Sequence, residues 1–166
     1  MDAFCEQIIK MKKTKKMTAA LVFIWVFAII LTAFCILIMK RIPFAIFLAA
    51  ATIYGAYRLI GQLNIEYEYI ITNGDVDVDK IINKSSRKNV VSFSCKDIEE
   101  IEKYNPDKAK SSGVKTYVCT DDFQNAYIFK ISLPTIGKCD VVLSPNEKTI
   151  ENMKRFIPRM VYDRIF

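Results

Sequence analysis

The 166-residue sequence contains no histidine, a single tryptophan, five glycines and five prolines. Without histidine it lacks the side chain that most often shuttles protons near neutral pH and most often binds metals. The glycines are scattered, so no glycine-rich phosphate loop is present. The five cysteines are odd in number and show no CxxC spacing; neither a disulfide framework nor a zinc site follows. Acid is scarce at the start: residues 1–63 hold 8 of the 24 Lys+Arg but only Asp2 and Glu6 of the 18 acids. The net +6 therefore sits beside apolar runs and is not spread over a folded surface. That excludes a nucleic-acid partner despite a pI near 9.0.

What fills the first third is apolar. Residues 17–39 are 23 positions without a charge, about 34 Å of helix and enough for a hydrocarbon core of about 30 Å. A second run starts at Ile42 and extends to Leu63 if Arg58 reaches back to the headgroups. Lys40-Arg41-Ile42-Pro43 between them forces antiparallel neighbours, and Pro43 suits the first turn of a new helix. The first run is too long for a cleavable signal and exits without a small-residue cleavage pattern. The expectation is a transmembrane helical hairpin over 17–63, with spans 17–39 and 42–63. Lys10, Lys12, Lys13, Lys15, Lys16 and Arg58 flank one end, and Lys40 and Arg41 the other. The positive-inside rule then places both termini in the cytoplasm. Within residues 1–16, Phe4, Ile8 and Met11 recur at helical spacing. This basic amphipathic segment either lies against anionic headgroups through its lysines or merely sets topology.

Residues 64–166 read as a separate cytoplasmic domain built mostly on period two. Ile65, Tyr67, Tyr69 and Ile71 alternate with Glu66, Glu68 and Ile70 up to Asn73-Gly74, a strong type I′ hairpin signal. Val76 and Val78 continue the apolar face on the return, placing Ile71 opposite Val76, Tyr69 opposite Val78 and Glu68 opposite Asp79. Further strands are expected over 89–94, over 114–120 and 126–133 as a second hairpin, and over 139–143. Residues 97–104 suit a helical turn or an edge strand, and 105–113 a loop. Ser144-Pro145-Asn146 opens a C-terminal helix with Ile150, Met153, Phe156 and Ile157 on one stripe. Pro158 ends or kinks it, and Val161, Ile165 and Phe166 pack beyond. The fold class is therefore α+β: six or seven short antiparallel strands, part sandwich and part barrel, with one C-terminal helix on an open end or a face.

The stretch Ile65-Glu-Tyr-Glu-Tyr-Ile-Ile-Thr-Asn-Gly-Asp-Val-Asp-Val-Asp-Lys-Ile-Ile resembles the opening hairpin of bacterial membrane proteins with pleckstrin-homology-like (PH-like) domains, a Y-x-I-T-N/D-G-x-L-x-I pattern. Over its whole length the chain is similar to a Firmicute two-helix membrane-protein family of unknown function, in Met1-Asp-Ala-Phe-Cys-Glu-Gln, in this hairpin and in Phe156-Ile-Pro-Arg. The resemblance implies a PH-like fold over residues 64–157 and brings no activity. Eukaryotic members that bind phosphoinositides use basic residues on the first hairpin, whereas this one is acidic.

That acidic hairpin is the most distinctive surface feature. Glu66, Glu68, Asp75, Asp77 and Asp79 share one face, where opposed like charges are destabilising. A divalent cation, a basic strip on a partner, or the protein's own Lys84, Arg87 and Lys88 would each neutralise them. Asp75-Val-Asp-Val-Asp lacks the glycine and distal glutamate of an EF-hand loop, and strand residues two apart are nearly 7 Å apart at about 3.4 Å each. Lys84, Arg87 and Lys88 form a basic turn that either meets headgroups or is solvated. Tyr67, Tyr69, Tyr117 and Tyr127 suit core and cross-strand packing. Ser92, Ser94 and Cys95 are candidate nucleophiles without a histidine to activate them, so no catalytic residue, cofactor or metal is assigned. The expected function is a membrane-anchored, non-enzymatic docking module for a protein partner or a second copy of the chain. The alternative is a sensor of anionic lipid or a small ligand at the inner membrane surface.

Overall fold

The computed structural model describes residues 3–105, 113–134 and 137–163. Residues 106–112 of the expected loop, and Ile165 and Phe166, lie outside the described residues. The chain forms two units: residues 1–11 with 66–81 and 86–166, and residues 12–65 with 82–85.

Among the described residues the first unit is a β-domain of eight strands in two sheets. One sheet has the order β1-β2-β3-β4, formed by β1 (Phe4–Lys10), β2 (Ile65–Thr72), β3 (Asp75–Ile82) and β4 (Ser86–Ser94). The other has the order β5-β7-β8-β6, formed by β5 (Ile98–Lys103), β6 (Lys115–Val118), β7 (Tyr127–Leu133) and β8 (Gly137–Leu143). The β2–β3 turn is as the sequence predicts: Asn73 and Gly74 both have positive φ, 52° and 93°, as a type I′ turn requires. Ile71, Val76, Tyr69 and Val78 are all buried in one core.

Three expectations are corrected. Residues 4–10 are not part of an amphipathic helix; they form the edge strand β1, paired antiparallel with β2 from Phe4↔Thr72 to Lys10↔Glu66. The apolar spacing of Phe4 and Ile8 fits both periods. A segment this short gains no stable helix alone, whereas β2 supplies a complete ladder partner. It is the eighth strand, added to the seven that follow residue 64. Next, residues 114–120 and 126–133 do not form a hairpin. β6 pairs parallel with β8, Lys115↔Cys139 to Val118↔Val142, while β7 pairs antiparallel with β5 and β8. Val141, Val142 and Leu143 of β8 are buried, so a central position with a strand on each side satisfies that segment. Last, the C-terminal helix is two pieces, α3 (Glu147–Lys154) and α4 (Arg159–Tyr162), separated around Pro158. Of the two readings of residues 97–104 the edge strand is the one formed, as β5, and a 3₁₀ turn over Cys95–Asp97 precedes it.

Side chains from both sheets and from α3 fill the main core, in which Tyr69, Phe93, Phe129, Ile131, Leu143 and Met153 meet, and Ala126, Ile128 and Val142 form a smaller cluster with Tyr104. β1 is tied to the start of α3 by one side chain. Gln7 Oε1 accepts from the Asn146 backbone N–H at 2.9 Å and from the Thr149 hydroxyl at 2.8 Å. Gln7 Nε2 donates to the Ser144 carbonyl at 3.0 Å. Asn146 caps α3 by accepting from the Thr149 N–H at 2.8 Å.

The second unit contains α1 (Lys15–Ile38) and α2 (Ala45–Gln62), which pack on each other. Their buried residues are small: Ala28 and Cys35 on α1, and Ala45, Ala56 and Gly61 on α2. Small side chains let helix backbones approach closely. Large apolar side chains such as Phe23, Trp25, Leu37, Phe47 and Leu48 are exposed. Among the described residues α1 alone is long and apolar enough, by length and composition, to cross a membrane. α2 is shorter than the expected 42–63 and carries Arg58 and Gln62.

Gly74 supplies a test of the fold. A Cβ there would lie 2.6 Å from Phe156 Cγ and would sit at φ +93°. Gly74→Ala is expected to lower stability by about 2 kcal/mol, read as a lower urea midpoint in detergent. Gly55→Ala, where a Cβ meets nothing within 4 Å, should not lower it.

Candidate functional site

Paired residues across strands point their side chains to the same side, so the ladder assembles the outward face of the first sheet. Lys10 faces Glu66, Ile8 faces Glu68, and Glu6 faces Ile70. On β1, Phe4, Glu6, Ile8 and Lys10 are exposed while Cys5 is buried. Alternation on β3 sends Asp75, Asp77 and Asp79 away from buried Val76 and Val78. The expected acidic face is therefore present, and β1 adds Glu6 to it.

Glu68 is the unexpected member. It is only 1% exposed, and burial pushes its carboxyl above the ordinary range. A hydrogen bond with Glu6 pushes the same way, and Arg87 pulls against both. The Arg87 guanidinium lies 2.9 Å from Glu68 Oε2 and 3.3 Å from Oε1. Asn89 donates to Asp79 at 3.0 Å. The protein's own cation and amide thus answer Glu68 and Asp79. Among the described residues Glu66, Asp75 and Asp77 make no ion pair. The second sheet contrasts with this: the Lys130 ammonium bridges Glu100 and Glu102 at 2.8 and 3.0 Å, and Lys138 reaches Glu99 at 2.9 Å. No group of three or more Cys, Asp or Glu among the described residues is placed to hold a metal ion.

The basic residues fall into a different set. Ile82–Ser85 closes the β3–β4 connection as a second two-residue turn, with Asn83 and Lys84 at φ 52° and 55°. This turn belongs to the helical unit. The Asn83 N–H donates to the Asn64 carbonyl at 2.8 Å, and its side chain fills the space beside Gly61. Lys84 consequently stands at the C-terminal end of α2, whereas Arg87 is engaged by Glu68 and Lys88 is exposed. Residues 12–65 and 82–85 carry Lys12, Lys13, Lys15, Lys16, Lys40, Arg41, Arg58 and Lys84 and no acid at all. α1 begins with Thr14, which makes no side-chain cap, and has no acid in its first turn.

The candidate nucleophiles offer little chemistry. Burial pushes the Cys95 thiol up to about 12, as it does Cys119; the thiolate is the reactive form. The Ser94 N–H donates to Asp97 at 3.3 Å at the entrance to the 3₁₀ turn. Tyr69 is fully buried, donates to the Cys119 carbonyl at 2.7 Å and has its hydroxyl pushed upward by burial. Tyr67, Tyr117 and Tyr127 pack against the core. Sequence reasoning missed Glu6 and the burial of Glu68, because both depend on a strand partner more than fifty residues away.

A carboxyl whose folded value lies above its unfolded one binds more protons folded than unfolded. Its contribution is complete below the unfolded value and is lost as pH rises through the folded one. Denaturation across pH 4 to 7 should therefore show Glu68→Gln gaining on the wild type as pH climbs above the ordinary glutamate value of 4.5; a constant difference would remove Glu68 as the cause.

The chain belongs to the family described as a bacterial PH-like domain (DUF6106), whose model matches residues 1–163. Comparison with curated proteins and with solved structures gives no match.

Proposed function

Taking this chain as a bacterial PH-like domain, we propose that it is a membrane-tethered, non-enzymatic docking module. One observation carries the tethering. The chain leaves the first sheet at Lys10 and re-enters it at Glu66, and those two residues are cross-strand partners. Only short connections separate Lys10 from α1 and α2 from Glu66, and each extra residue reaches at most about 3.5 Å. Whatever crosses the bilayer between them must come back. If α1 spans, α2 returns, with Arg58 reaching the headgroups. The cations at that end, Lys12, Lys13, Lys15, Lys16 and Lys84, outnumber Lys40 and Arg41 at the other, which supports a cytoplasmic β-domain and cytoplasmic termini. The exposed apolar surface of both helices suits lipid and would be a liability in water.

Docking is assigned to the outward face of the first sheet. Its edge strand β1 exposes Phe4 and Ile8, and Glu66, Asp75 and Asp77 leave negative charge unanswered. An apolar edge beside unpaired carboxylates fits an extended basic segment of a partner added alongside β1. The absence of histidine and the high thiol values of Cys95 and Cys119 support a non-catalytic role.

Two measurements test this. Protease added outside intact cells should spare residues 65–166 and cleave them in inverted vesicles; the reverse pattern ends the cytoplasmic assignment. A partner crosslinked to the wild type in native membranes should be lost from the Asp75→Asn/Asp77→Asn variant while that variant stays in the membrane fraction. Retention of the partner would move docking off this face.

A further inference from the structure

We propose that the open edge of β1 is where two copies of this chain join, each β1 pairing antiparallel with the other so that two first sheets become one. This names the occupant of the edge assigned to docking above and rests on that reading. The direction of the main chain decides which residues offer hydrogen bonds there. The Asn73 N–H donates to the Ala3 carbonyl at 2.9 Å, which makes residues 3 and 73 a closely bonded pair of the β1–β2 register. Such pairs recur at every second position, so Cys5, Gln7 and Ile9 turn their main-chain groups to β2. Phe4, Glu6, Ile8 and Lys10 turn theirs the other way, to the edge. The two-residue turn at Asn73-Gly74 agrees, because it directs the groups of Thr72, Ile70 and Glu68 toward β3. Among the described residues nothing hydrogen-bonds the edge-facing groups of Phe4, Glu6, Ile8 and Lys10.

Among the described residues β1, β4, β5 and β6 end the two sheets, and the last three carry features that discourage edge pairing. β4 opens with Ser86-Arg87-Lys88-Asn89, all exposed. β5 breaks register between Ile98 and Glu100 and is charged at four of its six positions. β6 has only four residues and begins with Lys115. β1 differs from all three: seven residues in unbroken register, no proline, and Phe4 and Ile8 exposed by 59% and 50%.

Charge selects a second copy as the occupant. Edge-facing groups must meet edge-facing groups, so a second β1 pairs even-numbered positions with even-numbered ones. With Ile8 opposite Ile8 of the second copy, each Glu6 falls opposite the other copy's Lys10. One apolar pair is then flanked by two ion pairs, and two main-chain bonds per pair give about six hydrogen bonds. Each Lys10 sits between that Glu6 and its own cross-strand neighbour Glu66. The alternative registers set Glu6 against Ile8, or against a second Glu6, a like-charge pair that destabilises. β1 also runs directly into Lys12, Lys13, Lys15 and Lys16, so it is itself an extended basic segment of the kind that the acidic face favours.

The test places single cysteines on β1 of the full chain in native membranes and oxidises them with copper phenanthroline. The five native cysteines are buried, so the introduced thiol is the one that reacts. Ile8→Cys should form a disulfide dimer, since Cα atoms of a closely bonded strand pair lie about 5.5 Å apart, within disulfide reach. Phe4→Cys should stay monomeric, because its counterpart lies about 27 Å away along the strands at about 3.4 Å per residue. Equal dimer from both variants marks random collision and overturns the proposal, as does a dimer from Glu6→Cys and none from Ile8→Cys. The wild type supplies a second measurement in detergent micelles: amide exchange over residues 4–10 should slow as protein per micelle rises. Lys10→Glu should raise the concentration needed roughly tenfold, about 1.4 kcal/mol, and Glu6→Lys/Lys10→Glu should bring it back. Exchange that is the same at every concentration overturns the dimer. Ile8→Cys trapped with a different protein and never with itself removes the second copy while the docking edge stands. The Asp75→Asn/Asp77→Asn crosslinking above reads the docking face separately, because both residues lie on β3, away from this edge.

Discussion

The ladder between β1 and β2 governs the rest of this structure. Seven cross-strand pairs bring Phe4–Lys10 against Glu66–Thr72, and everything between them becomes an excursion with both ends held at one place. The ladder is reinforced from the far end of the chain, where Gln7 answers two donors and one carbonyl at the start of α3. The Ser144 carbonyl and the Thr149 hydroxyl, on buried residues, would lose that partner if β1 peeled away, at about 1 kcal/mol each. The same strand places Glu6 near Glu68, so the acidic face is assembled by residues from both sides of the helical excursion.

Charge is divided along the same line. The helical unit carries eight cations and no acid, while the β-domain holds the remaining sixteen basic residues against all eighteen acids. Arg87 and Lys84, three positions apart, fall on opposite sides of this division: one is spent on a buried carboxylate, and the other stands at the end of α2. A like-signed helical unit suits a surface of anionic lipid, and an acidic sheet face suits a partner of opposite sign.

Local chemistry was readable from the residues. Asn73-Gly74 marks its turn, Asn146 caps α3, Pro158 interrupts the C-terminal helix, and the run over 17–39 encloses most of α1. Each depends on neighbours a few positions apart. What could not be read depends on distant partners. Phe4 and Ile8 fit a helical and a strand period equally, and only the presence of β2 decides between them. β6 looks like the first half of a hairpin until β8, later in the chain, takes it as a parallel neighbour. Glu68 reads as a solvent-facing position by alternation, and its burial appears only once Arg87 and β1 cover it. The acidic face was visible as composition, whereas the way it is partly neutralised was a matter of tertiary contact.

The position of β1 also sets an order of events during biosynthesis. Phe4–Lys10 leaves the ribosome more than fifty residues ahead of the strand it pairs with. During that interval it has no ladder partner, and the Asn146 and Thr149 groups that Gln7 will meet do not yet exist. Closing so long a loop from a free coil carries an entropic cost that grows with its length. Within that interval α1 and α2 pack on each other and are joined to β1 and β2 by brief connectors, which leaves fewer free residues in the loop to close. A chain translated without its helices would have to find that pairing unaided, and its leading strand would be the last to dock.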